Sequence, residues 1–131
     1  MSKTRQIECL CSTETACCVA LRSEPIDEET GTNLSTGFKA LGDPNRVAVV
    51  HLLSAAPGPV CLVDIERHLP LSQSTVSYHL KTLVDAGVLD RERRGRWSYY
   101  TIRPERLAEL SQALDRYRSV LAAARPELQP A

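Results

Sequence analysis

The chain has 131 residues and a mass of 14.5 kDa, which suits one domain with short tails and a core that needs no disulfide staples. Sixteen Lys and Arg balance sixteen Asp and Glu, so net charge excludes no class of partner, but its distribution discriminates. Residues 1–45 carry four positive and seven negative side chains, whereas residues 71–106 carry seven positive and four negative, a basic stretch suited to a polyanion.

A membrane-spanning helix needs about 20 mainly apolar residues. The longest uncharged run, Val47 to Val63, is broken by Pro57, Gly58 and Pro59. No apolar block of signal-peptide length opens the chain, so the expected compartment is the cytoplasm. In that reducing setting the five cysteines, Cys9, Cys11, Cys17, Cys18 and Cys61, point to metal or redox chemistry rather than structural disulfides.

In chain order, residues 1–24 are polar and Cys-rich without periodicity and read as a flexible arm. The acidic Asp27-Glu28-Glu29 suits the first turn of a helix, and Leu34, Phe38 and Leu41 follow at helical spacing before Gly42. Asp43-Pro44 starts a second helix, with Asp as N-cap and Pro in the first turn. After Pro57-Gly58-Pro59 a short helix is expected from about Val60 to His68, with Leu62, Ile65 and Leu69 on one side. Ser72 caps the next helix, which runs to Ala86 and stops at Gly87. Val88–Arg93 and Trp97–Ile102 read as a hairpin around Arg94-Gly95, and Pro104 opens a last helix carrying Leu107, Leu110, Leu114, Tyr117 and Leu121. The expected fold is mainly α, with a small β component: a winged helix-turn-helix with an added helix at each end. It occupies residues 25–124, with 125–131 as a tail.

The helix between Pro70 and Gly87 carries the functional argument. Val76, Leu80, Leu83 and Val84 form its apolar stripe. The remaining surface offers Gln73, Ser74, Thr75, Ser77, Tyr78, His79 and Lys81, with no acidic residue before Asp85. Short donors and acceptors with one cation suit base edges and phosphates in a major groove. Most amphipathic helices simply meet water, but their polar faces carry more long charged side chains than this one does. The hairpin adds Arg91, Arg93, Arg94 and Arg96 around Gly95, placed to reach phosphates or a minor groove. Trp97 is expected to pack within the hairpin.

These residues carry a resemblance. Ala40-Leu41-Gly42-Asp43-Pro44-Asn45-Arg46, Ser72 through Leu80, Leu83 through Leu89 and Arg94 through Tyr100 resemble the ArsR/SmtB family of bacterial metal-responsive repressors, in its arsenic-responsive form. The resemblance spans roughly residues 34–103. It implies a homodimer joined through the first and last helices, bound to double-stranded operator DNA and released by an inducer.

Sites differ within the family. One type holds Zn(II) near the end of the last helix with Asp, His and Glu; here Glu109 and Asp115 stand there, but no histidine follows His79. Another uses Cys-x-Cys before an Asp, and Cys61-Leu62-Val63-Asp64 retains only the first thiol. The vicinal Cys17-Cys18 pair together with Cys61 resembles the arrangement of actinobacterial arsenic-responsive members. Three thiolates without imidazole suit As(III), and Sb(III) equally, because both favour three-coordinate pyramids; Zn(II) and Cd(II) usually take four ligands. A sulfur from Cys9 or Cys11 would instead admit Cd(II) or Pb(II), and a metal-free thiol-redox repressor is a further alternative. An enzyme is not expected. Cys61 and Arg67 match the Cys-x5-Arg of phosphatase loops, but Asp64 and Glu66 would repel an anion there and the apolar spacing is helical.

Overall fold

The structure is a computed structural model and is described for residues 24–125. Five helices and three strands follow one another: α1 (Glu28–Ala40), α2 (Pro44–Ser54), β1 (Val60–Cys61), α3 (Leu62–His68), α4 (Gln73–Asp85), β2 (Leu89–Arg94), β3 (Trp97–Ile102) and α5 (Pro104–Ala124).

Helix starts follow local chemistry. The Asp27 carboxylate accepts from the Thr30 N–H at 3.0 Å, and Asp43 accepts from the N–H groups of Asn45 and Arg46 at 2.8 and 3.3 Å. Ser72 Oγ accepts from the Thr75 N–H at the start of α4. Each cap satisfies donors that a helix N-terminus leaves unpaired. At the other end of α4, Gly87 takes φ +78°, where the lack of a side chain lets the chain turn out of the helix into β2.

One expectation is corrected here. Val60 and Cys61 are not the first turn of α3 but a two-residue strand, paired antiparallel to β3 with Val60 opposite Tyr100 and Cys61 opposite Tyr99. The sheet order is β1-β3-β2, so the helix-turn-helix and the hairpin are tied by backbone hydrogen bonds. Proline and glycine just upstream end α2 and leave the chain extended, and β3 offers a free edge to pair with.

The core gathers Val49 and Leu53 of α2, Ile65 of α3, Val76, Leu80 and Leu83 of α4, and Val88, Leu89 and Tyr100 of the wing. Burying such side chains contributes about 1.5–3 kcal/mol each. Helices α1 and α5 pack on one another beside this core. They come close together at Gly37, where an added Cβ would stand 2.7 Å from Leu110 Cδ2. Arg106 threads the same junction. It is buried, and donates from Nε to Ala86 O (2.9 Å), from Nη2 to Asn33 O (2.8 Å) and from Nη1 to Glu109 (2.9 Å). One guanidinium thus fastens α1, the end of α4 and α5. Among the described residues, no helix is long and apolar enough to cross a membrane.

Candidate nucleic-acid interface and thiol site

Helix α4 presents two distinct sides. Val76, His79, Leu80 and Leu83 are buried, while Gln73, Ser74, Ser77, Tyr78 and Lys81 are exposed. Thr75 is half-buried, with its hydroxyl 2.7 Å from Ser72 Oγ at the cap. The exposed side is polar except for the Tyr78 ring, 62 % accessible. Lys81 pairs loosely with Asp85 at 3.4 Å, and both are well exposed, so the lysine remains free to exchange toward a phosphate.

His79 departs from the expected pattern. Only 6 % of it is accessible, and Nδ1 lies 3.2 Å from Arg46 Nη1 of α2. Its spacing held the clue: residues 76, 79 and 83 share a helical phase, so the imidazole belongs to the core side of α4. It is therefore not one of the groups this helix shows to solvent.

The wing is two-faced. Pairing of Arg91 with Tyr100 and Arg93 with Ser98 places these four on one face, and pairing of Glu92 with Tyr99 and Arg94 with Trp97 defines the other. On the first face Arg91 donates to Ser98 Oγ from Nε (3.4 Å) and Nη2 (3.3 Å). On the second, Arg94 pairs with Glu92 at 3.2 Å and lies 4.7 Å above the Tyr99 ring. Hydrogen bonding to Glu92 and that carboxylate's charge raise the Arg94 pKa above the ordinary arginine value. Arg93 and Arg96 are exposed, and among the described residues neither enters an ion pair. Gly95 turns the tip at φ +64°, in open space. Trp97 is 48 % accessible rather than packed away, because it pairs with Arg94 at the outer end of the hairpin.

Cys61 is half-buried and N-caps α3 without a side-chain hydrogen bond. Cys9, Cys11, Cys17 and Cys18 lie outside the described residues. Among the described residues, no three His, Cys, Asp or Glu side chains converge on a metal-sized site. The Cys-x5-Arg match does not form an anion loop, since residues 62 to 68 are helical. His51 is exposed, and His68 Nδ1 lies 2.7 Å from Asp64 O within its own helix.

A polar helix on a helix-turn-helix, flanked by a basic glycine-tipped hairpin, defines a winged helix-turn-helix DNA-binding protein. The family described as "Bacterial regulatory protein, arsR family" matches residues 43–91. An arsenical resistance operon repressor of Staphylococcus xylosus is 38 % identical over 82 residues, 63 % of this chain and 77 % of that protein. One from Bacillus subtilis is 40 % identical over 68 residues, 52 % of this chain and 64 % of that protein's length. A solution structure of a homodimeric winged helix-turn-helix domain from Mycobacterium bovis, a possible ArsR-family regulator, shares the fold at TM-score 0.56 and 20 % identity. That likeness covers 76 % of this chain and 93 % of that one. The chain belongs to the arsR family of bacterial regulatory proteins, and it is a DNA-binding transcriptional regulator rather than an enzyme.

Proposed function

We propose that this regulator is a homodimeric repressor of a metal(loid) resistance operon, released from its operator when As(III), or Sb(III), is held by Cys17, Cys18 and Cys61. The observation that carries the reading is the position of Cys61. It joins the sheet to α3, on the strand that hydrogen-bonds the wing, so a ligand there acts on both DNA-reading elements. The arsenical resistance repressors among the relatives support the choice of inducer. Three thiols also match the three-coordinate preference of As(III), which they bind by displacing its oxygen ligands as water.

In this reading Gln73, Ser74, Thr75, Ser77, Tyr78 and Lys81 meet the major groove, and Arg93, Arg94 and Arg96 meet the backbone beside it. The dimer forms through α5, whose Leu114, Tyr117, Val120 and Leu121 leave an apolar stripe exposed. Such a stripe marks an interaction face. The homodimeric Mycobacterium bovis domain of the same fold supports a second copy as its occupant. A coupling of about 1–3 kcal/mol between thiol site and operator would weaken binding roughly 5–150-fold.

The test is fluorescence anisotropy of a labelled duplex from upstream of the protein's own gene. Reduced protein is bound first and then titrated with As(III), Sb(III), Cd(II), Pb(II) and Zn(II). Release by As(III) at the lowest concentration, lost in Cys17→Ser and in Cys61→Ser, is the expected result. Release by Cd(II) or Pb(II) first would transfer the site to a set including Cys9 or Cys11. Release only after peroxide treatment would establish the thiol-redox reading.

A further inference from the structure

His79 sits on the helix that reads DNA yet faces away from it, and the group it meets determines its chemistry. Arginine offers only N–H donors and keeps its charge at any pH a protein survives. At the 3.2 Å contact, Arg46 Nη1 therefore donates and His79 Nδ1 accepts. An accepting Nδ1 requires a neutral ring with its proton on Nε2.

The same guanidinium is held from its other edges. Arg46 Nε donates to Ala40 O at 2.6 Å and Nη2 reaches Lys39 O at 3.4 Å, both at the C-terminal end of α1. Its own N–H is held by the Asp43 cap at 3.3 Å. One planar group therefore joins the end of α1, the start of α2 and the middle of α4. The backbone carbonyls fix its plane, and the plane fixes where an acceptor on α4 must stand.

Protonation removes that acceptor. A charged imidazole has no lone pair at Nδ1 and sets a second positive charge against the guanidinium. Among the described residues, the charged or titratable side chains around this junction are Arg46 and Asp43 from α2, Lys39 from the end of α1, and Tyr78 on α4 itself, its ring centroid 5.5 Å from that of His79. Of these side chains, only the imidazole ordinarily changes charge in the mildly acidic range.

We propose that Arg46 and His79 are positioning residues for DNA reading: neutral His79 accepts from Arg46 and sets α4 at its operator-binding angle, and proton uptake by His79 releases α4 and lowers operator affinity. This goes beyond the arsenic reading and depends on α4 as the DNA-reading helix, not on any inducer.

The experiment uses the full chain, reduced and without metal, with the same labelled duplex at constant ionic strength. Operator affinity is compared at about pH 7.5 and in steps down to about pH 5, across the ordinary histidine titration, as far as the far-ultraviolet spectrum stays that of the folded chain. Wild type is expected to lose roughly fivefold or more in affinity on acidification, within the usual range of coupled effects. His79→Asn puts a non-titrating amide oxygen where Nδ1 accepts. It is expected to bind like wild type at the higher pH and to stay level at the lower. Parallel pH profiles for the two proteins would overturn the proposal. A long-range proton–nitrogen NMR spectrum of wild type provides a test that needs no variant. An Nε2–H ring with bare Nδ1 for His79 at the higher pH is expected, and an Nδ1–H ring would overturn the assignment. Because no inducer is present, failure here leaves the arsenic reading untouched, and the reverse also holds.

Discussion

Cys61 and Tyr99 stand opposite one another across β1 and β3, and the Arg94 guanidinium lies 4.7 Å over that same tyrosine ring. Glu92 is the next partner in the row, paired with Tyr99 from β2 and bonded to Arg94 at 3.2 Å. The row Cys61–Tyr99–Glu92 crosses the whole sheet. Cys61 of β1 and Arg94 of β2 thus share one neighbour, Tyr99.

The wing and α4 separate by how their substitutions act. Arg93→Ala and Arg96→Ala each remove an exposed positive charge from the wing. Each is expected to weaken binding equally for operator and unrelated DNA and to lower the salt slope by roughly one. Gln73→Ala or Ser77→Ala, on exposed α4, is expected to narrow the preference for operator by about 1–3 kcal/mol per lost base contact. Anisotropy titrations over a range of salt, with both duplexes, distinguish the two behaviours.

Arg106→Met keeps much of the side chain's length but deletes every donor. It leaves Ala86 O without its partner in the buried junction, and also removes the part-buried bond to Asn33 O, which is nearer solvent. Each unpaired buried group costs about 1–3 kcal/mol. Urea unfolding is expected to show a lowered midpoint with an unchanged slope, since the folded state's extent does not alter.

Asp43 supplies an acid limit. Burial pushes its carboxyl up, but the N–H groups of Asn45 and Arg46, with attraction to His79 and Arg46, together hold it below the usual carboxylate value. A lowered folded pKa gives stability that is present above the unfolded pKa, about 3.9, and lost as pH falls through the lower folded value. Asp27 is lowered likewise, by the Thr30 side chain and then the Thr30 N–H. Asp43→Asn keeps a capping oxygen without the charge. Thermal melts are expected to show wild type the more stable at neutral pH, with the difference closing below about pH 4.

Tyr117→Glu places a charge in the middle of the exposed α5 stripe. Sedimentation is expected to shift from dimer to monomer while the far-ultraviolet spectrum stays that of the folded chain, because Tyr117 is over half exposed and outside the core.

Much of the fold was legible because its boundaries are marked by residues with a single local meaning. Asp27, Asp43-Pro44, Ser72, Gly87 and Pro104 start or stop helices by capping and backbone geometry, which act within a few residues. What was not legible depends on distant partners. Two residues cannot announce a strand, and Val60-Cys61 becomes one only because β3 has a free edge. Arg106 reads as an ordinary charge on α5 until three helices bring their acceptors to it. His79 could have been placed from its phase with Val76 and Leu83, which puts it on the core side rather than at the flank of the polar one.

Helix α1 is fastened to the reading helix at two points, and neither is an apolar contact. Asn33 O is joined to Ala86 O through Arg106, and Ala40 O is joined to His79 through Arg46. A hydrogen bond fails steeply once its angle or length drifts. Two such fasteners, one at the middle of α4 and one at its C-terminal end, therefore behave as detents. Small displacements of α1 carry the reading helix along, and larger ones free it all at once.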